Sequence, residues 1–161
     1  MVVFSALMND FTGNFLKDQL IIMVMISGER SGMQVEVSVG EVVDKVSILS
    51  IKLKKIQNPG KLKNIQKEYD MLAVPMQAAG ISVTSGEFQR LEAINLKLWD
   101  IEDRIRLKEA AQAFDAEFIE LARSVYFIND DRAAVKKEIN LKYGSDIIEE
   151  KEYVEYKPQA R

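Results

Sequence analysis

Apolar residues recur along this chain in two rhythms, and the change from one to the other lays out the expected elements. Val35, Val37 and Val39 alternate with Glu36 and Ser38, the period of a half-buried strand. The spacing then lengthens. Val39, Val42, Val46, Leu49, Leu53 and Ile56 fall three and four residues apart, the stripe of an amphipathic helix. Ser38 stands three residues before Glu41, the spacing of a capping box. Residues 58–60, Asn-Pro-Gly, read as the end of that helix, because proline cannot continue the hydrogen-bond ladder. Leu62, Ile65, Tyr69, Leu72 and Met76 then predict a second helix.

Residues 74–87 hold Pro75, Gly80 and Gly86 among small polar residues and read as a loop. Ser85 caps a third helix with the stripe Phe88, Leu91, Ile94, Leu98, Ile101 and Ile105. After a turn near Phe114, Asp115 caps a fourth, with Phe118, Leu121, Val125 and Ile128 on its inner face and Gly144 at its C′ position. The longer pair spans residues 86–112 and 116–142. The expected fold is all-α: two antiparallel helical hairpins in a four-helix bundle, the C-terminal hairpin being the longer. A short two-stranded β element is expected from residues 34–39 and 147–156. One helical domain covers residues 33–157. Residues 1–32 are an N-terminal extension outside it. Their apolar run, residues 19–26, is too short to span a bilayer and lacks the flanks of a signal peptide.

The fourth helix breaks its own stripe. Arg132 stands where an apolar residue is due, and Asn129, Asp130 and Asp131 crowd the same turn. Arg123 and Lys136 lie on or beside that stripe. On the third helix Asn95, Trp99, Glu102 and Arg106 form a row beside Leu98 and Ile101, and Asp103 adjoins it. An antiparallel register about Phe114 sets Trp99 against Asn129, Glu102 against Tyr126 and Asn129, and Leu96 opposite Arg132. The first helix adds Glu41, Asp44 and Lys45. Apart from Asp131 and the facing residues Tyr126 and Leu96, these thirteen residues form the candidate cluster. Arg132 itself is expected to be mostly buried, its guanidinium on a carboxylate or carbonyl of another helix.

Such a cluster admits two readings. In the first, Glu102 and Asp103 pair with Arg106, Arg123 and Arg132 in a closed polar layer that fixes helix register, since a buried charge survives only when paired. In the second, the arginines with Lys45 or Lys136 grip a phosphate or carboxylate, and Trp99 supplies a stacking wall.

Composition removes several chemistries. The chain of 161 residues has neither cysteine nor histidine. Zinc sites, thiolate nucleophiles and histidine-based triads are therefore excluded within it, and a cytosolic location is expected. Catalysis would have to rest on carboxylates, Lys, Arg or Tyr, and nothing in the pattern commits to an enzyme. Glu102 and Asp103 with Asp130 or Asp131 are the oxygen ligands a Mg²⁺ ion would use. Their spacing is not the paired Glu-x-x-Glu and Glu-x-x-Asp of all-α nucleotide pyrophosphohydrolases, so no cofactor is expected. A net charge of −3, and few aromatics among the lysines of residues 52–67, argue against nucleic acid as a partner. No membrane partner is expected either.

Three long stretches carry a resemblance: VEVSVGEVVDKVSILSIKL, INLKLWDIEDRIR, and FIELARSVYFINDDRAAVKKEIN with the following GSDIIEEKEY. From about Met33 to Tyr153 the chain resembles a family of small bacterial and marine-phage proteins of unknown function, whose members open near the position of Met33. The resemblance implies that Gly40, Glu41, Asp44, Lys45, Trp99, Glu102, Asp103, Arg123, Asn129, Asp130, Arg132 and Lys136 match that family's polar positions. It implies no activity.

The expected function is that of a soluble helical interaction or assembly module, working as a homodimer because the long hairpin leaves apolar stripe uncovered. The alternative is a binding protein or enzyme for a small anionic metabolite, using the Arg/Asn/Asp cluster between the long helices.

Overall fold

The computed structural model describes residues 35–152 and 154. Among them are four helices: α1 (Val39–Lys55), α2 (Pro59–Ala78), α3 (Gly86–Ala110) and α4 (Ala116–Lys142). The N-terminal extension and its apolar run lie outside the described residues, as do Gln34, Tyr153 and Tyr156 of the expected β element.

Each helix starts on a residue whose side chain or ring suits that position. Ser38 Oγ accepts from the Glu41 N–H at 3.2 Å, and Asn58 Oδ1 accepts from the Lys61 N–H at 3.0 Å. Residues 58–60 therefore open α2 rather than close α1: Asn58 is its cap, and Pro59 sits in the first turn, where a missing N–H costs nothing. Asp115 caps α4 by accepting from the Phe118 N–H at 3.0 Å. Ser85 holds the N-cap position of α3 but spends its hydroxyl inside the preceding turn, on the carbonyl and N–H of Ser82.

Two sequence expectations give way. The loop of residues 74–87 is shorter, because α2 runs through Pro75 to Ala78. Pro75 lies in the last turn and removes a single ladder bond, while Ala73 and Met76 on either side are buried. No strand forms among the described residues. Ser38 draws Val39 into the first turn of α1, so the alternating valines lead into a helix. The two segments expected to pair as strands still meet, but through a side chain: Ser145 Oγ accepts from the Val39 N–H at 3.3 Å and donates to the Ile147 carbonyl at 2.9 Å.

The core gathers on α1, which packs against all three other helices. Val39, Val42, Val43 and Val46 meet Met76, Ile81, Phe88, Leu91, Val135 and Ile139. Burial of this face outweighs the modest helix propensity of a valine-rich segment. Between α3 and α4 the ion pairs run in opposite order along the chain. Glu87 takes Lys142, Arg90 takes Glu138 at 2.7 Å, and Arg104 takes Glu117 at 2.5 Å. Exposed pairs of this kind contribute little energy, but they record that the two helices lie antiparallel.

Helices α2, α3 and α4 end alike. In each, the second residue past the helix cap donates to the carbonyl five residues back: Ile81 to Met76, Ala113 to Lys108, and Ser145 to Asn140. The residue between must take a left-handed backbone, which Gly80 and Gly144 supply at φ of 80° and 64°. After α3 that place is held by Gln112, with φ of 52°. A side chain there is strained by roughly 1 kcal/mol. Replacing Gln112 with Gly is expected to stabilise the fold by about 0.5–1 kcal/mol in urea unfolding; a destabilised variant would contradict this account of the turn.

Candidate functional site

The first helix places Asp44 in its second turn, on the same face as Val43 and Ser47, and the surrounding helices close over it. Asp44 is only 1% exposed. A carboxylate at such depth costs several kcal/mol unless it is paired and hydrogen-bonded. It is both. Arg132 of α4 donates from Nε to Asp44 Oδ1 at 2.9 Å and from Nη2 to Oδ2, the two-pronged grip for which a guanidinium is shaped. Asn95 of α3 donates through Nδ2 to the same Oδ1 at 2.8 Å and to Ser47 Oγ at 2.8 Å. Ser47 in turn donates to the Asp44 carbonyl at 2.8 Å. Asn129 braces the arginine more loosely, with Oδ1 3.4 Å from Nη1, while its Nδ2 donates to the Val125 carbonyl. One buried network thus ties α1, α3 and α4 together. The Asp44 hydrogen bonds hold the Arg132 guanidinium above its already high ordinary pKa, so its charge is permanent.

One turn toward each terminus a second group forms. Lys136, nearly buried, donates to Glu41 at 2.6 Å and to Glu149 at 3.0 Å. Burial works to lower the Lys136 pKa, but the bonds to Glu41 and Glu149 outweigh it and the net shift is upward. Lys136 in turn lowers the Glu149 pKa, chiefly by that hydrogen bond. Beside it, Asn140 Oδ1 accepts from the Gly40 N–H at 2.6 Å and helps close the N-terminus of α1. Only glycine fits at position 40. A Cβ there would come 2.6 Å from the Lys136 carbonyl oxygen and 2.8 Å from Asn140 Oδ1.

The thirteen sequence candidates therefore separate. Glu41, Asp44, Asn95, Asn129, Arg132 and Lys136 come together. Glu102, Asp103 and Arg106 do not join them: they sit further along α3, exposed, with Arg106 bonded to its own neighbours at 2.7 and 3.3 Å. Arg123 is exposed and reaches Tyr126 Oη at 3.3 Å, and Lys45 is exposed near Glu68 at 3.7 Å. Trp99 and Asp130 are half-buried. Arg132 is mostly buried, its side chain 27% exposed, and touches a carboxylate of another helix as expected, but that carboxylate comes from α1, not from Glu102 or Asp103 on α3. The reason is that α1 lies over both long helices, a packing that a two-helix register cannot show. Ser47, Asn140, Ser145 and Glu149 also take part. Ser47 and Asn140 had a signal: each sits on the buried face of its helix, one turn from Asp44 and from Lys136.

Chemically, the arrangement leaves little of the arginine free. An anion would have to displace a buried carboxylate to reach its two best donors. No cluster of three or more carboxylates suited to a metal exists among the described residues, and no helix there is long and apolar enough to cross a membrane.

Removing the arginine strands Asp44. Arg132→Ala is expected to cost roughly 3 kcal/mol, the scale of breaking a buried pair, whereas Arg132→Ala with Asp44→Leu, which removes both charges, should recover much of it. Equal stability of the parent and the single variant would contradict the network's role. For pH, Glu149 is bound more tightly as a carboxylate than in the unfolded chain, so its contribution is complete above the ordinary glutamate pKa of about 4.3 and is lost as pH falls through the lowered folded value. Lys136→Met should make the loss of stability below about pH 4 shallower in urea titrations; an unchanged acid limb would contradict the Lys136–Glu149 linkage.

Residues 33–158 match the model of a family of unknown function, DUF6165. No curated protein and no solved structure matches the chain.

Proposed function

The chain belongs to this family, and because membership brings no activity we propose from the geometry that it is a helical assembly module that pairs with a second copy through the distal ends of α3 and α4. In this reading the bundle consists of two antiparallel hairpins, and the longer one projects as an arm. The helical domain begins at Met33 and residues 1–32 precede it.

One observation carries the proposal. No residue from 101 to 120 is buried, although the helical stripe continues through this stretch. Leu107 is 71% exposed, Phe114 54% and Ile119 55%, with half-buried Ile105 and Phe118 between them. Apolar side chains grouped on a projecting element are the signature of an interface. The arm's charges favour a like partner. Arg104 pairs with Glu117, Lys108 with Asp115 and Glu117, and Arg106 with Glu102, so a second copy meets a surface of balanced sign. The alternative, an anionic metabolite held in the Arg/Asn/Asp cluster, has less support, because Asp44 already occupies the guanidinium.

Sedimentation velocity at tens of micromolar should give a dimer, and Leu107→Glu should shift it to monomer without loss of helicity. A parent chain that sediments as a monomer would overturn the proposal.

A further inference from the structure

A cleft of about 240 Å³ opens between the C-terminal half of α4 and the segment that follows it. It lies away from the proposed arm interface, and Arg132 is not among the residues that line it. Its walls carry Lys136, Lys137 and Asn140 on one side and Glu149, Glu150 and Lys151 on the other.

One wall has donors to spare. Asn140 is 1% exposed, and its Nδ2 is buried with no hydrogen-bond partner among the described residues. The amide cannot be turned round to remove the problem, because Oδ1 accepts from the Gly40 N–H and a flip would set donor against donor. A buried donor left unsatisfied costs free energy that a bound acceptor would recover. Lys136 stands one helical turn before Asn140, on the same face. Two of its three ammonium protons serve Glu41 and Glu149, which leaves the third. The pair offers two convergent donors, the number a carboxylate accepts with its two oxygens.

The opposite wall offers acceptors. Among the described residues Glu150 is bound only to the exposed Lys137, and Glu149 lies between Lys136 and Lys151. The ionic lining is balanced, three lysines against Asp130, Glu149 and Glu150. A simple anion or cation would leave one wall unmatched, whereas a zwitterion matches both. We propose that this cleft binds a small zwitterion of the amino-acid class, its carboxylate on Asn140 and Lys136 and its ammonium on Glu149 and Glu150.

Isothermal titration of the full chain with a panel of L-amino acids tests this, with propionate, propylammonium and inorganic phosphate as controls. At least one amino acid should bind saturably, and each control about tenfold more weakly or less, the scale of one lost charge-assisted hydrogen bond. Asn140→Asp keeps the acceptor for Gly40 and replaces the free donor with an oxygen, so it should abolish binding while circular dichroism is unchanged. If that variant fails to fold, Glu150→Gln, on an exposed side chain, carries the test and should weaken amino-acid binding about tenfold while leaving propionate unaffected. Absence of binding by every amino acid, equal binding of propionate or phosphate, or parental affinity in Glu150→Gln would each overturn the proposal.

Discussion

The structure depends on keeping one carboxylate satisfied in a place where water cannot reach it. Asp44 lies on the central helix, and its partners arrive from two others: Arg132 from α4 and Asn95 from α3. Apolar packing alone is tolerant, since a core accepts many combinations of hydrophobic side chains of similar total volume. The polar network is not tolerant. A slip of one turn in α4 leaves a buried charge unpaired, a penalty comparable to a large share of a small domain's net stability, and a rotation of α3 takes away the Asn95 hydrogen bond to that charge. The hydrophobic face of α1 drives association, and Asp44 selects one arrangement among those it allows.

That division of labour explains what could be seen in the sequence and what could not. Helix existence was legible because the stripes are long and regular, and the caps at Ser38 and Asp115 mark their starts. The boundaries at Asn58 and Pro75 were less so. Proline signals a helix start as readily as an end, and burial of Ala73 and Met76 carries α2 through a residue that normally stops one. The strand reading of Val35, Val37 and Val39 erred for a related reason: a period of two over a few residues cannot compete with a cap that recruits the last of them into a helix.

The candidate cluster was legible in part. Arg132 announced itself by standing on an apolar stripe. Its partner did not, because the sequence gives each helix's faces but not which helix lies across which. Pairing by register within one hairpin pointed to α3 carboxylates, while the actual partner is on α1. Glu102, Asp103 and Arg106 have helical spacing and opposite charges, which is also what an exposed, self-paired helix face has. Gly40 and Asn140 belong to the same tertiary fact. The close approach of α1 to α4 excludes a Cβ at position 40 and supplies the Gly40 N–H with its acceptor.

The central claim concerns coupling between Asp44 and Arg132, and a double-mutant cycle measures coupling directly. The parent, Asp44→Asn, Arg132→Met and the double variant would each be unfolded in urea at neutral pH. A cooperative pair that fixes register predicts an interaction free energy of about 2 kcal/mol or more, with the double variant far less destabilised than the two single variants added together. Strict additivity, with an interaction free energy near zero, would contradict it: Asp44 and Arg132 would then be neighbours without being partners.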